Sequence, residues 1–256
     1  DNPDIRWSVR DDAKREADKW AENPENIRLA TEKYIGEHTS KNGRIEIDPD
    51  KIRAFVPNYD ASNVSVYKEA GDKISAYVWQ EALKRQTKNK TLMLLTGNPA
   101  AGKSSASKAG LIKGIDDVGV LLDSPLNNFA SVERRVEDAI KSGFKITIVQ
   151  IYNDPVRSWK NSMKRGIEEG RFLPLDYFIG AYESAKGKVE DIETILRPKY
   201  GKKINTIYID SSSDISKTVK TEDAKAWQYT VNENQFVSIL ESIYEYIEKY
   251  YKSPSV

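Results

Sequence analysis

This sequence predicts an α/β fold built on a mainly parallel sheet. Five short, largely apolar runs, "RIEID", "TLMLLTG", "VGVLLD", "FKITIVQIY" and "INTIYID", are separated by longer segments with helical periodicity. The runs are mostly continuous in apolar residues, the pattern of strands buried on both faces in a parallel sheet covered by helices. A glycine-rich turn stands between the second run and the helix that follows it, where a strand hands over to its crossover. The expectation is a five-stranded sheet with helices on both faces over residues 41–256, preceded by an N-terminal helical extension over 1–40.

In chain order, "RDDAKREADKW" and "NPENIRLATEKYIG" space Trp20, Ile27, Ala30, Tyr34 and Ile35 as a helical apolar face, and Gly36 and Gly43 mark its end. "RIEID" is a short strand. "SNVSVYKEAGDKISAYVWQEALKRQ" reads as one helix with Val66, Ala70, Ile74, Tyr77, Val78 and Ala82 on its buried side. "TLMLLTG" is a strand and "KSSASKAGLIKG" opens a helix. "VGVLLD" is a strand, "SVERRVEDAIKSG" a helix stopped by Gly143, and "FKITIVQIY" a strand followed by helical patterns to about Leu196. "INTIYID" is the last strand, "SSSDISKTVKTED" a loop, and "NQFVSILESIYEYIEKYY" the last helix.

Bulk composition limits the partners. The 256 residues hold 40 Lys and Arg against 39 Asp and Glu, a net charge of +1, so no general field draws nucleic acid or an anionic membrane. Any anion site must be local, and nucleic acid is an unfavoured partner. Cysteine is absent, which excludes disulfides and thiolate metal sites. No apolar run approaches the ~20 residues that span a bilayer. The first residue is Asp rather than Met, which predicts a trimmed chain.

The sharpest motif is "LTGNPAAGKSS". Gly97, Gly102, Lys103 and Ser104 fit G-x-x-x-x-G-K-[ST], with an apolar strand before and a helix after. The glycines let the backbone curl so that N–H groups from Gly97, Asn98, Ala100, Ala101, Gly102, Lys103, Ser104 and Ser105 surround phosphates, with Pro99 shaping the turn. Lys103 would reach the β- and γ-phosphates of ATP and Ser104 would hold Mg²⁺. A phosphate loop does not say what becomes of the nucleotide. Transfer to a hydroxyl needs a base, and in a parallel sheet the strand carboxyl ends share one edge. "IEIDPD" puts Asp48 and Asp50 after one strand, and "VLLD" puts Asp123 at the end of another. Each Asp could equally be a helix cap or a turn residue.

"IDPDKIRAFVPNYD" resembles a segment of the zeta-toxin family of P-loop kinases, I-D-x-D followed by a basic position and H-P-x-[FY]-D, with Val56 where His is usual. "RGIEEGRFLPLDYFIGAY" resembles the family's arginine-bearing segment, and "LLDSPLNN" stands where the family has an acidic-G-T-x-R motif. The resemblance covers roughly residues 44–190. In the family the phosphate loop precedes the acid strand. Here the acid strand and its helix come first, an order like a circular permutation, which keeps every strand parallel.

The resemblance implies that Asp50 is the general base, that Lys103 and Ser104 bind ATP and Mg²⁺, and that Arg165 and Arg171 close over the γ-phosphate from a lid. Guanidinium forks suit the charge that develops on a transferring phosphoryl group. A solvated basic helix face paired with Glu168 and Glu169 is the plainer reading of the two arginines. Asp48, Arg53, Asp123 and Asn127 fall at acceptor-side positions. Ser124-Pro125 replaces the usual G-T and Asn127 stands near the usual arginine, so the resemblance supports kinase chemistry more than a particular acceptor. It implies a nucleotide-like acceptor such as a UDP-N-acetylhexosamine or NAD, a bacterial toxin or effector acting in the cytoplasm after secretion or translocation, and an antitoxin or inhibitor protein as partner. A polynucleotide 5′-hydroxyl kinase, another metabolite kinase and a non-catalytic ATP switch stay open as alternatives. The expected spatial order is the acid strand, "VLLD", the phosphate-loop strand, "ITIVQ" and "TIYID". His38, the one histidine, reads as a surface residue beside a turn.

Overall fold

The structure, a computed structural model, describes residues 3–124, 128–169 and 172–251. Helices α1 (Pro3–Trp20) and α2 (Pro24–Glu37) precede β1 (Ile45–Ile47), and α3 (Pro49–Arg53) and α4 (Lys68–Arg85) lead to β2 (Thr91–Gly97). Then come α5 (Lys103–Lys108), β3 (Val120–Asp123), α6 (Phe129–Lys141) and β4 (Lys145–Tyr152). Beyond β4 lie α7 (Pro155–Glu169), α8 (Leu175–Glu183), α9 (Lys188–Asp191), α10 (Arg197–Tyr200), β5 (Ile204–Asp210), β6 (Lys217–Val219), α11 (Thr221–Lys225) and α12 (Glu233–Tyr251).

The strands form one mainly parallel sheet in the order β1-β3-β2-β4-β5-β6. The first five positions have the order expected from sequence. The sheet has six strands rather than five, because β6 forms inside the stretch read as a loop. It pairs antiparallel with β5, Tyr208 beside Val219 and Asp210 beside Lys217. Three residues with two of them exposed carry too little alternation to stand out in sequence, and such short, charged strands are usual at sheet edges.

Two compact units make up the chain. One comprises Asp1–Leu95, Gly114–Ser124 and Arg134–Thr147, the other Thr96–Lys113, Pro125–Glu133 and Ile148–Val256. In the first, β1 and β2 flank β3 in parallel, Ile47 beside Leu122 and Leu95 beside Asp123. Helix α4 packs on α2, α3 and β1. It starts later than its sequence pattern: Ala61–Tyr67 is a 3₁₀ segment kinked at Asn63 (φ −128°, ψ 43°). Asn63, Val64 and Val66 are poor helix formers, and only from Lys68 does the favourable run begin. Its buried face carries Ile74, Val78 and Ala82 as expected, but Trp79 and Leu83 in place of Tyr77, which is 48% exposed.

Helix α2 opens on Asn23, whose side chain accepts from the Glu25 N–H at 3.0 Å, with Pro24 in the first turn. Its Tyr34 is fully buried and its hydroxyl ties the helix to the acid strand. It donates to the Glu46 carbonyl at 3.1 Å and accepts from the Asp48 N–H at 2.9 Å. Burial pushes the phenol pKa upward, so the hydroxyl keeps its proton for that bond. His38 is half-buried rather than a surface residue, stacked on Tyr34 at 4.1 Å and edge-on to Phe55 at 5.9 Å.

The second unit has its own core of Trp159, Phe178, Tyr182, Tyr229 and Ile239, with Tyr152 packed against it. Among the described residues no helix is long and apolar enough to cross a membrane.

Removing the Tyr34 hydroxyl leaves the Asp48 N–H without its acceptor inside the fold. Tyr34→Phe should cost about 1–3 kcal/mol, the range for an orphaned buried donor, read as a lower urea midpoint at unchanged slope. An unchanged midpoint would mean that the hydroxyl does not tie α2 to the acid strand.

Candidate active site

The phosphate loop is shaped by two residues in the left-handed region. Gly102 has φ +94° and Ala100 has φ +53°, an uncommon conformation for a residue with a Cβ. The two motif glycines are needed for different reasons. Gly102 is required by its backbone angle, since the nearest atoms to an added Cβ, on Ser211, are 3.9 Å away. Gly97 is required by space, since an added Cβ would lie 2.5 Å from the Ile151 carbonyl oxygen. The Ala101 N–H bonds the Asn98 carbonyl at 3.1 Å, and the helical ladder of α5 begins with the Ala106 N–H on the Gly102 carbonyl at 2.9 Å. Ser104 and Ser105 lie in the first turn, where N–H groups have no intrahelical acceptor. Lys103 opens the same turn. A loop with this curvature and no side-chain cap fits a polyphosphate.

Asn98 anchors the loop from below. It is 1% exposed; its amide donates to Ser158 Oγ at 2.8 Å and its Oδ1 accepts the Asn153 N–H at 3.3 Å. From the same helix α7, Asn161 donates to the Ala100 carbonyl at 3.4 Å. Ser158, Asn161 and Arg165 follow one another at helical spacing, and Arg165 is exposed. Sequence reasoning missed Ser158, Asn153 and Asn161. The available signal was a small polar stripe, Ser158, Asn161 and Ser162, in a helix whose apolar positions are Trp159 and Met163. Arg171 and Asn127 lie outside the described residues, as does Pro125 of the "SPLNN" stretch.

The acid strand and its helix lie in the other unit. Asp48 caps α3, its Oδ1 accepting the Asp50 N–H at 2.9 Å, so the plain capping role applies to it. Lys51 reaches Glu46 at 2.7 Å and stands 3.9 Å from Asp48. Burial, then the nearby charges of Asp123 and Asp50, raise the Asp48 carboxyl above the ordinary carboxylate pKa. Asp50, 47% exposed, is paired with Arg53 at 3.0 Å. Arg53 is placed by a feature that sequence reasoning did not single out. A Cβ on Gly71 of α4 would lie 2.6 Å from Arg53 Cγ. Glycine inside a helix costs about 1 kcal/mol relative to alanine; here it admits the stem of Arg53 and so fixes the fork that holds Asp50. Asp123, level with Leu95 of β2, is followed by Ser124, whose N–H bonds the Leu95 carbonyl at 3.1 Å.

Residues 111–214 match the family model for Zeta toxin. The matched stretch is under half of the chain. It takes in β3, β4, α7 and β5 and leaves out both the phosphate loop and "IDPDKIR". It supports the resemblance seen in sequence. No curated protein matches the chain. Among solved structures, "Crystal structure of AvrRxo1-ORF1:-ORF2 complex, native" is similar over 75% of this chain and 82% of that one, at 12% identity and a TM-score of 0.46.

If the loop holds ATP as its sequence predicts, Gly97→Ala should weaken that binding by about tenfold or more, because the loop must move off Ile151 by a distance that spoils close positioning; unchanged affinity by calorimetry contradicts this. Asp48 binds its proton more readily in the folded chain than in the unfolded one. Its contribution to stability is therefore full below the ordinary value of 3.8 and is lost as pH rises through the raised value. Asp48→Asn keeps the cap and should gain stability relative to the parent as pH is raised from 3.8 to neutrality. A difference that stays flat across that range in urea titrations refutes the shift.

Proposed function

We propose that this protein is a zeta-toxin-like kinase that moves the γ-phosphate of ATP to a hydroxyl of a nucleotide-type metabolite, acting as a toxin or effector. The observation that carries the reading is the phosphate loop itself: G-x-x-x-x-G-K-[ST] between β2 and α5, bent through two left-handed residues and pinned by Asn98 to α7. The Zeta toxin match from residue 111 onward agrees with it.

In this reading Lys103 would hold the β- and γ-phosphates, the Ser104 hydroxyl would hold Mg²⁺, and the loop amides would hold the remainder of the triphosphate. ATP supplies the phosphoryl group. Asp50 accepts the proton of the acceptor hydroxyl, oriented for it by the Arg53 fork. Arg165 and Arg171 neutralise charge on the transferring group. Asp48 and Asp123 line the acceptor side. The acid strand ahead of the loop is a permuted arrangement, and the helical stretch 1–40 an addition to the kinase core. An antitoxin or inhibitor protein is the partner this biology implies.

The roles separate by mutation. Asp50→Ala should keep ATP affinity and lose transfer by ~10²–10⁴, the usual worth of a general base. Lys103→Ala should lose both. Incubation with [γ-³²P]ATP, Mg²⁺ and a metabolite extract reads transfer as a labelled phosphomonoester. An Asp50→Ala protein that labels acceptor as fast as the parent ends the kinase reading and favours an ATP switch.

A further inference from the structure

Away from the loop and the carboxylates, the first unit holds an open groove of about 620 Å³. Its walls include Trp20 at the end of α1, Leu29 and Lys33 on one face of α2, and Phe55, Asn58 and Tyr59 in the turn after α3. Three of the eleven lining residues are aromatic, and Leu29 is 53% exposed. Lys33 carries the one charge among the lining residues. Its ammonium stands 5.6 Å from the centre of the Phe55 ring, and no carboxylate among the described residues pairs with it.

The groove is built rather than incidental. Asn58 is held in the left-handed region, φ +58°, a conformation that costs free energy unless its surroundings enforce it. Tyr67 enforces it: its hydroxyl donates to the Asn58 carbonyl at 2.5 Å, and its ring meets Tyr59 edge-on at 5.2 Å. The floor is also coupled to the acid helix. The Phe55 N–H bonds the Ile52 carbonyl at 3.0 Å and the Val56 N–H bonds the Arg53 carbonyl at 3.1 Å. The turn therefore continues directly from the helix that carries Asp50 and Arg53.

We infer that this groove binds a planar heteroaromatic ring bearing an anionic group, the chemistry of a nucleotide, and that it holds this end of the acceptor. Aromatic faces stack flat rings without regard to which base is present. An ammonium at the rim, over one of those faces, is placed for a phosphate attached to the ring's sugar. The volume lies within the range of small-molecule sites, roughly 300–1,000 Å³. Assigning the groove to the acceptor rests on the kinase reading; binding itself does not.

The test uses the full chain carrying Lys103→Ala, which removes binding at the phosphate loop, with UMP, AMP, uridine and adenosine as probes in calorimetry. Both nucleotides should bind more tightly than their nucleosides. Phe55→Ala and Trp20→Ala should each weaken nucleotide binding by about tenfold, the order expected for one stacking contact. Lys33→Ala, a change at an exposed position that leaves the core intact, should abolish the preference for nucleotide over nucleoside. In the chain with Lys103 restored, Phe55→Ala should raise KM for the acceptor with little change in kcat. The inference is overturned if the Lys103→Ala protein binds no nucleotide, or binds one with the same affinity after Lys33→Ala and Phe55→Ala. Either result leaves kinase chemistry to be decided separately, by the transfer assay with Asp50→Ala.

Discussion

The buried amide of Asn98 is the contact on which the phosphate loop depends. A loop bent through two left-handed residues does not hold itself in place; each such residue with a side chain is disfavoured on its own. Asn98 sits at the start of the bend with donor and acceptor both satisfied, by Ser158 and by the backbone of Asn153. A buried polar group left unpaired is costly, so the loop cannot shift without losing those bonds. Helix α7 thereby becomes part of the site. It contributes Ser158 and Asn161 to the loop.

A comparable logic orders the acid strand in the other unit. Tyr34 joins α2 to both sides of the β1 terminus, and Asp48 then caps the helix that carries Asp50. Arg53 folds back on Asp50 because Gly71 leaves room for it. Each of these residues sets the next, from a helix that precedes the strand to the carboxylate that follows it. Helix α2 is thus bonded into the acid strand, and the aromatic groove beside it takes part of its walls from the same pieces.

Much of this was legible in the sequence. The phosphate loop could be read because its chemistry needs particular residue types at fixed spacing, and the strand order followed from parallel crossovers and one family resemblance. Asp48 as a helix cap was also readable, from a short polar side chain ahead of a proline. What escaped was long-range or weakly patterned. β6 is three mostly exposed residues with no apolar signature. The kink at Asn63 and the outward turn of Tyr77 depend on what α4 packs against, which periodicity alone does not record. His38 found a stacking partner four residues away, in the helix it follows, a contact compatible with the spacing but not demanded by it.

The sequence by itself determined the alternation of strands and helices, the place of the phosphate loop, and the carboxylates at strand ends, because periodicity and backbone chemistry are local. Only the tertiary structure decided which polar groups hold those pieces still: Ser158 and Asn153 beneath Asn98, Tyr34 against Asp48, and Gly71 under Arg53. Those partners are separated from their targets by 14 to 60 residues of chain, and a hydrogen bond or a steric opening at that distance exists only once packing has brought the segments together.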